Sequence, residues 1–156
     1  MYNYFKKVFL VVIIVANGIV LNAQDYKQQD EILGTWISEN KDLKVEIYKK
    51  EDKYFGKIIW FLCDPKTPNM SDFKDTENPE PKLRHRPWLG MEVVEGLMFN
   101  GDNIWGNGTI YDPNTGRTYS SVVTLKDNNT LVVRGYWGIE LLGKNMIFYR
   151  VVPSGK

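Results

Sequence analysis

Polar and apolar residues alternate along most of this chain with a period of two, the repeat of a half-buried β-strand. The stretch "DLKVEIYKK" from Asp42 shows it most cleanly, with Leu43, Val45 and Ile47 on one face and Lys44, Glu46 and Tyr48 on the other. The same reading predicts strands near 33–39, 42–49, 54–62, 91–98, 103–111, 117–125, 130–137 and 145–152. No segment carries a long apolar stripe at helical spacing. Most connections are too short for the crossover that a parallel pair needs, so the strands are expected to run antiparallel and in order. "YDPNTGRTY" is the plainest turn: Asp112-Pro113 opens it, Gly116 supplies a positive-φ position, and Tyr111 and Tyr119 flank it on two strands.

Eight such strands in sequence predict an all-β fold, an eight-stranded antiparallel up-and-down barrel that closes on itself and leaves no free edge. A two-sheet sandwich is the competing topology. Gly34-Thr35-Trp36 opens the first strand and Arg150 lies in the last. In a closed barrel these strands are neighbours, and a guanidinium over the indole face would contribute about 0.5–2 kcal/mol. The pairing of Gly-x-Trp with a late arginine resembles the lipocalins and the wider calycin group, where those two features close the barrel. A barrel of this strand number either fills with side chains or holds one small ligand.

The first 23 residues are set apart as a secretory signal peptide: Lys6 and Lys7, the apolar run Val8 to Ala16, and the small-residue exit Leu21-Asn22-Ala23. That run is too short to span a bilayer, which takes about 20 residues. A polar lead-in over 24–31 and a single barrel domain over 32–152 follow, and the expected location is periplasmic or secreted. Without Lys6 and Lys7, 18 basic residues face 19 acidic ones, a balance that argues against nucleic acid as a partner. Cys63 is the single cysteine, so no internal disulfide forms and the core must hold by packing.

Between Cys63 and Gly90 the alternation stops, and Pro65, Pro68, Pro79, Pro81 and Pro87 exclude a central strand or an unbroken helix. So long a connection in a compact domain usually forms a lid or a binding loop. Phe73, Leu83, Trp88 and Leu89 give it apolar anchors, and the prolines lower the entropy lost on ordering it. The segment is therefore expected to be an ordered cover.

The blocks Asp75-x-x-Asn78-Pro79-x-Pro81-x-x-Arg84-x-Arg86-Pro87-x-x-Gly90, Tyr111-Asp112-Pro113-x-x-Gly116-x-x-Tyr119, Val133-Arg134-Gly135 and Arg150-Val151 resemble an exported bacterial family catalogued as domain of unknown function 2147. The resemblance covers roughly residues 32 to 152 and implies a small exported β-rich domain, with no activity attached.

Little here suggests catalysis. His85 is the single histidine, has no second metal-ligand candidate at a useful spacing, and reads as a solvated loop residue. The acids of 64–80 lack the ligand alternation of a calcium loop, and no cofactor is called for. Arg84 and Arg86, two apart before Pro87, either grip an anionic ligand or pair with Asp72, Asp75, Glu77 or Glu80. Arg134 either faces solvent or, turned inward near Tyr111 or Tyr119, hooks a carboxylate. The leading expectation is a barrel that binds a small apolar or amphipathic molecule such as a fatty acid or lipid fragment. Its candidate ligand contacts are Arg84, Arg86, Trp88, Tyr111, Tyr119 and Arg134. Gly34, Trp36, Asn78, Pro79, Pro81, Pro87, Gly90, Asp112, Gly116 and Arg150 are assigned to structure. Two alternatives stay open: a protein-interaction or envelope-maintenance module with a filled barrel, marked by an exposed Trp88–Leu89 patch, and an enzyme built on Asp75 or His85.

Overall fold

The computed structural model describes residues 28–152; the signal-peptide expectation for residues 1–23 lies outside them. Eight strands follow one another: β1 (Gly34–Ser38), β2 (Leu43–Lys50), β3 (Lys53–Phe61), β4 (Glu92–Phe99), β5 (Ile104–Asp112), β6 (Arg117–Asp127), β7 (Thr130–Tyr136) and β8 (Lys144–Arg150). Each pairs antiparallel with the next, and β1 pairs with β8, so the sheet is a closed up-and-down barrel as the alternation predicts. The sandwich alternative falls with that closure. No helix among the described residues is long and apolar enough to cross a membrane.

The period-two pattern explains which side chains enter. In β2, Val45 and Ile47 are buried while Lys49 and Lys50 are not, and in β7 Leu131 and Val133 alternate with half-exposed neighbours. Register shifts in β2 at Lys44/Val45 and in β3 around Gly56 bend the strands, as bulges do where a sheet must curl shut.

At the seam Trp36 and Arg150 are register partners. The guanidinium carbon of Arg150 lies 4.2 Å from the Trp36 ring centroid, its Nη1 donates to the Leu33 carbonyl at 2.8 Å, and its Nε donates to the Asn128 carbonyl at 2.6 Å. The Trp36 indole N–H donates to the Ile32 carbonyl at 2.9 Å. A Cβ at Gly34 would stand 3.3 Å from that same guanidinium, which accounts for the small residue two places before the tryptophan.

The connections β2–β3, β4–β5 and β6–β7 gather at this seam end, and it is packed solid. Tyr54, Leu97, Trp105 and Val123 are essentially inaccessible, and Tyr54 and Phe99 both contact the Trp105 ring. The connections β1–β2, β3–β4, β5–β6 and β7–β8 gather at the other end.

Candidate functional site

Above the packed end the barrel is hollow. A cavity of about 840 Å³ runs from Trp36 and Leu131 at its floor, past walls such as Val45, Ile58, Val93 and Val133, to the end where the long connections lie. An eight-stranded barrel can enclose this space because its interior is just wide enough for side chains to fill or to leave room for one small ligand. The lining is mostly apolar below, while polar groups stand at the rim: Asp42, Asp112, Asn114, Lys144 and Asn145.

The 62–91 connection borders this mouth and is folded back onto the barrel by three sets of contacts. Phe73 and Trp88 pack on Phe61 of β3, with ring centroids 5.0 and 5.5 Å away, and on each other at 5.5 Å. Backbone hydrogen bonds join Trp88 N–H to the Phe73 carbonyl and Gly90 N–H to the Ile58 carbonyl, and an isolated bridge pairs Lys74 with Pro87. The third set is polar and centres on Asp75, whose side chain is fully buried.

Asp75 is held from three directions. Tyr111 of β5 donates its hydroxyl to Oδ1 at 2.6 Å, while Asn78 Nδ2 and Arg86 Nη2 donate to Oδ2 at 2.7 and 2.8 Å. Burial alone would push this carboxyl up, but the bonds from Tyr111, Asn78 and Arg86 reverse it and hold the pKa below the usual value. Burial and the carboxylate it faces push the Tyr111 hydroxyl up to about 12. Asp75 is thus an anion and Tyr111 a neutral donor across the ordinary pH range, and together they latch the connection to β5.

The β5–β6 turn completes the latch. Asp112 builds it by accepting from Asn114 N–H at 3.0 Å and from Thr115 Oγ1 at 2.8 Å, and its carbonyl accepts from Gly116 N–H. Gly116 has φ +67°, and a Cβ there would fall 1.9 Å from the Glu77 carbonyl oxygen, so only glycine lets the turn lie against the loop. Arg84 spans the same stretch, its Nε donating to the Asn78 carbonyl at 2.8 Å. Pro81 starts the 3₁₀ turn Pro81–Leu83, Pro79 is exposed, and Gly90 at φ +83° faces open space.

Of the six residues expected to meet a ligand, the fold brings Trp88, Tyr111 and Tyr119 to the cavity. The three arginines lie elsewhere. Arg84 and Arg86 are spent on Asn78 and Asp75, within the acid-rich loop itself. Arg134 does not line the cavity: it donates to the carbonyls of Glu140 and Leu141, each at 2.8 Å, and to Asn145 Oδ1 at 2.7 Å. Its neighbours Val133 and Gly135 take the inward positions, so strand alternation turns the guanidinium outward. The indole N–H of Trp88 is buried without a hydrogen-bond partner and has almost no accessible surface, so Trp88 offers the cavity ring carbon rather than a donor.

The geometry also bears on the markers of the two alternatives. Trp88 is half-buried in the aromatic cluster and does not form an exposed patch with Leu89. Asp75 is closed off by its three donors and does not line the cavity, while His85 is exposed on the loop. Sequence reasoning missed a different feature, the β7–β8 connection, which puts Trp137 and Leu142 at the mouth. Its one signal was four large apolar residues, Trp137, Ile139, Leu141 and Leu142, in a place where a turn had to fall. Among the described residues no group of three or more His, Cys, Asp or Glu side chains is placed to hold a metal ion.

A closed eight-stranded antiparallel barrel with a tryptophan–arginine seam at one end and an apolar cavity open at the other is a lipocalin-like fold. A solved structure bears this out: protein HP1028 from the human pathogen Helicobacter pylori, described as belonging to the lipocalin family. It superposes with a TM-score of 0.67 at 24% sequence identity, over 78% of this chain and 84% of that one. At that identity the likeness concerns the fold. The chain belongs to the family described as uncharacterized proteins conserved in bacteria, domain of unknown function 2147, whose pattern it matches over residues 34–150. No curated protein matches it.

Proposed function

We propose that this protein is an exported carrier that holds one apolar or amphipathic molecule, of the fatty-acid or lipid-fragment class, inside the barrel. The observation that carries the reading is the hollow interior. About 840 Å³ of mostly apolar space lies within the usual range for small-molecule sites, and the tightly packed floor beneath it excludes a barrel that is merely loose. The apolar part of the ligand would lie against Val45, Ile58, Val93 and Val133, and its polar end would stay at the rim. Lys144 is the cation in the cavity lining, and it shares the rim with Asp42 and Asp112. That mixed charge favours a neutral or weakly charged polar end over a strongly anionic one. The latched loop serves as a fixed wall of the mouth, which lowers the entropy cost of binding.

Native mass spectrometry of protein purified from its own periplasm or medium tests this. The expected spectrum shows a co-purifying molecule, one per chain, that organic extraction removes and a long-chain carboxylic acid or monoacyl lipid restores. A bare mass that none of these additions shifts would refute the carrier reading.

A further inference from the structure

The β7–β8 connection is unusual in what it exposes. Trp137, Ile139, Leu141 and Leu142 are 74, 64, 83 and 77% exposed, and Leu62 at the start of the loop is 66% exposed. Leu62, Trp137 and Leu142 also line the cavity, so this apolar surface is continuous with the interior. The connection is not a slack loop. Arg134 grips the carbonyls of Glu140 and Leu141, Leu142 N–H bonds to the Ile139 carbonyl, Gly143 N–H bonds to the Glu140 carbonyl, and the Trp137 ring meets Tyr119 edge-on at 6.5 Å. An outward-facing arginine fork thus holds apolar side chains out into solvent, against the hydrophobic effect, which points to an apolar phase that receives them.

We propose that this rim docks the mouth of the barrel on a phospholipid surface, so that the ligand passes between the acyl layer and the cavity without crossing water. The inference rests on the carrier reading for its purpose, though not for the docking itself. Three features favour a lipid surface over a protein. A rigid protein seated on Trp137 and Leu142 would cover the opening they line, whereas a fluid acyl layer fills an uneven rim and is itself the store of apolar ligands. Tryptophan beside aliphatic side chains is the composition that settles at the boundary between headgroups and acyl chains. The charges around the opening, Asp42 and Asp112 against Lys144, with Glu140 on the connection itself, are of both signs and suit zwitterionic headgroups rather than a strongly anionic layer.

The test uses the chain from Gln24, which keeps the whole of the hydrogen-bonded barrel, with phosphatidylcholine vesicles as the probe. Ile139 and Leu141 are exposed and lie outside the cavity lining, so I139E/L141E alters the rim and spares the interior. Co-sedimentation is expected to fall at least about tenfold in the double variant and by a smaller factor in L141E. Binding of the wild type should change little between about 0.1 and 0.5 M salt, because it is apolar rather than electrostatic. Uptake of a fluorescent fatty acid in lipid-free solution should stay within about twofold of wild type in both variants, which also reports that they fold. Wild type that ignores the vesicles, or variants that bind them as well as wild type, would overturn the docking. So would a wild-type dimer in sedimentation equilibrium that I139E/L141E dissolves, since the rim's occupant would then be a second copy. Vesicle binding that survives with no fatty-acid uptake would leave the docking standing and remove the carrier reading.

Discussion

Asp75 ties the long connection to the barrel wall. Its fully buried carboxylate gathers a half-buried tyrosine from β5 with a buried asparagine and a partly exposed arginine from the loop. Removing one partner leaves a buried charge short of a donor, which is costlier than the net worth of the bond. Tyr111→Phe is expected to cost about 1.5–3 kcal/mol and Arg86→Met about 3 kcal/mol or more, read from urea unfolding midpoints. The pH dependence follows from the two shifts. Asp75 has a lowered folded pKa, so its contribution is complete above the ordinary carboxylate value and is lost as the pH falls through the lowered one. Tyr111 is raised to about 12, so its contribution is complete below the ordinary tyrosine value and is lost as the pH rises through about 12. Proteolysis of the 64–90 loop should therefore stay slow at neutral pH and accelerate in acid below the ordinary Asp range, and Tyr111→Phe should move that onset to higher pH. The sequence offered Arg86 four acids to choose from. It did not show that Asp75 would be the one turned inward, because that follows from the Lys74–Pro87 bridge and from Tyr111 waiting on another strand.

At the scale of elements, period-two alternation located all eight strands to within a residue or two, since each strand has one face on the interior and one on solvent. The "YDPNTG" turn was equally legible from Asp112 and Gly116. What it touches was not: Gly116 is required by Glu77, a residue 39 positions earlier in the chain. Gly116→Ala is expected to cost about 3 kcal/mol or more, by adding a contact with a backbone oxygen to the left-handed strain. Gly90→Ala, with open space around it, should cost about 1–2 kcal/mol, and the difference between the two urea midpoints isolates the contact. The β7–β8 connection was illegible for the opposite reason. Ile139, Leu141 and Leu142 have the composition of a core, and only the folded barrel shows that they stand exposed at its mouth instead.

For the whole molecule, the meeting of first and last strands could be read from Trp36 and Arg150, and with it the absence of free edges. Arg150→Ala removes the cation from the indole face and leaves the carbonyls of Leu33 and Asn128 short of a donor, so a loss of about 2–4 kcal/mol is expected in thermal or urea unfolding. Hollowness could not be read in the same way. The valines and isoleucines that line the cavity are the residues that would fill a solid barrel, and the difference is a matter of side-chain volume against barrel radius. That volume is where the account is most exposed to test. The direct measurement is a fluorescent fatty-acid titration of the wild type beside Val133→Phe, which places a larger ring in the cavity at a buried wall position. Saturable uptake of one molecule per chain, weakened at least about tenfold in a Val133→Phe protein of near-normal melting temperature, is the predicted result. A wild type that takes up nothing, or a variant that binds as tightly as wild type, would contradict it.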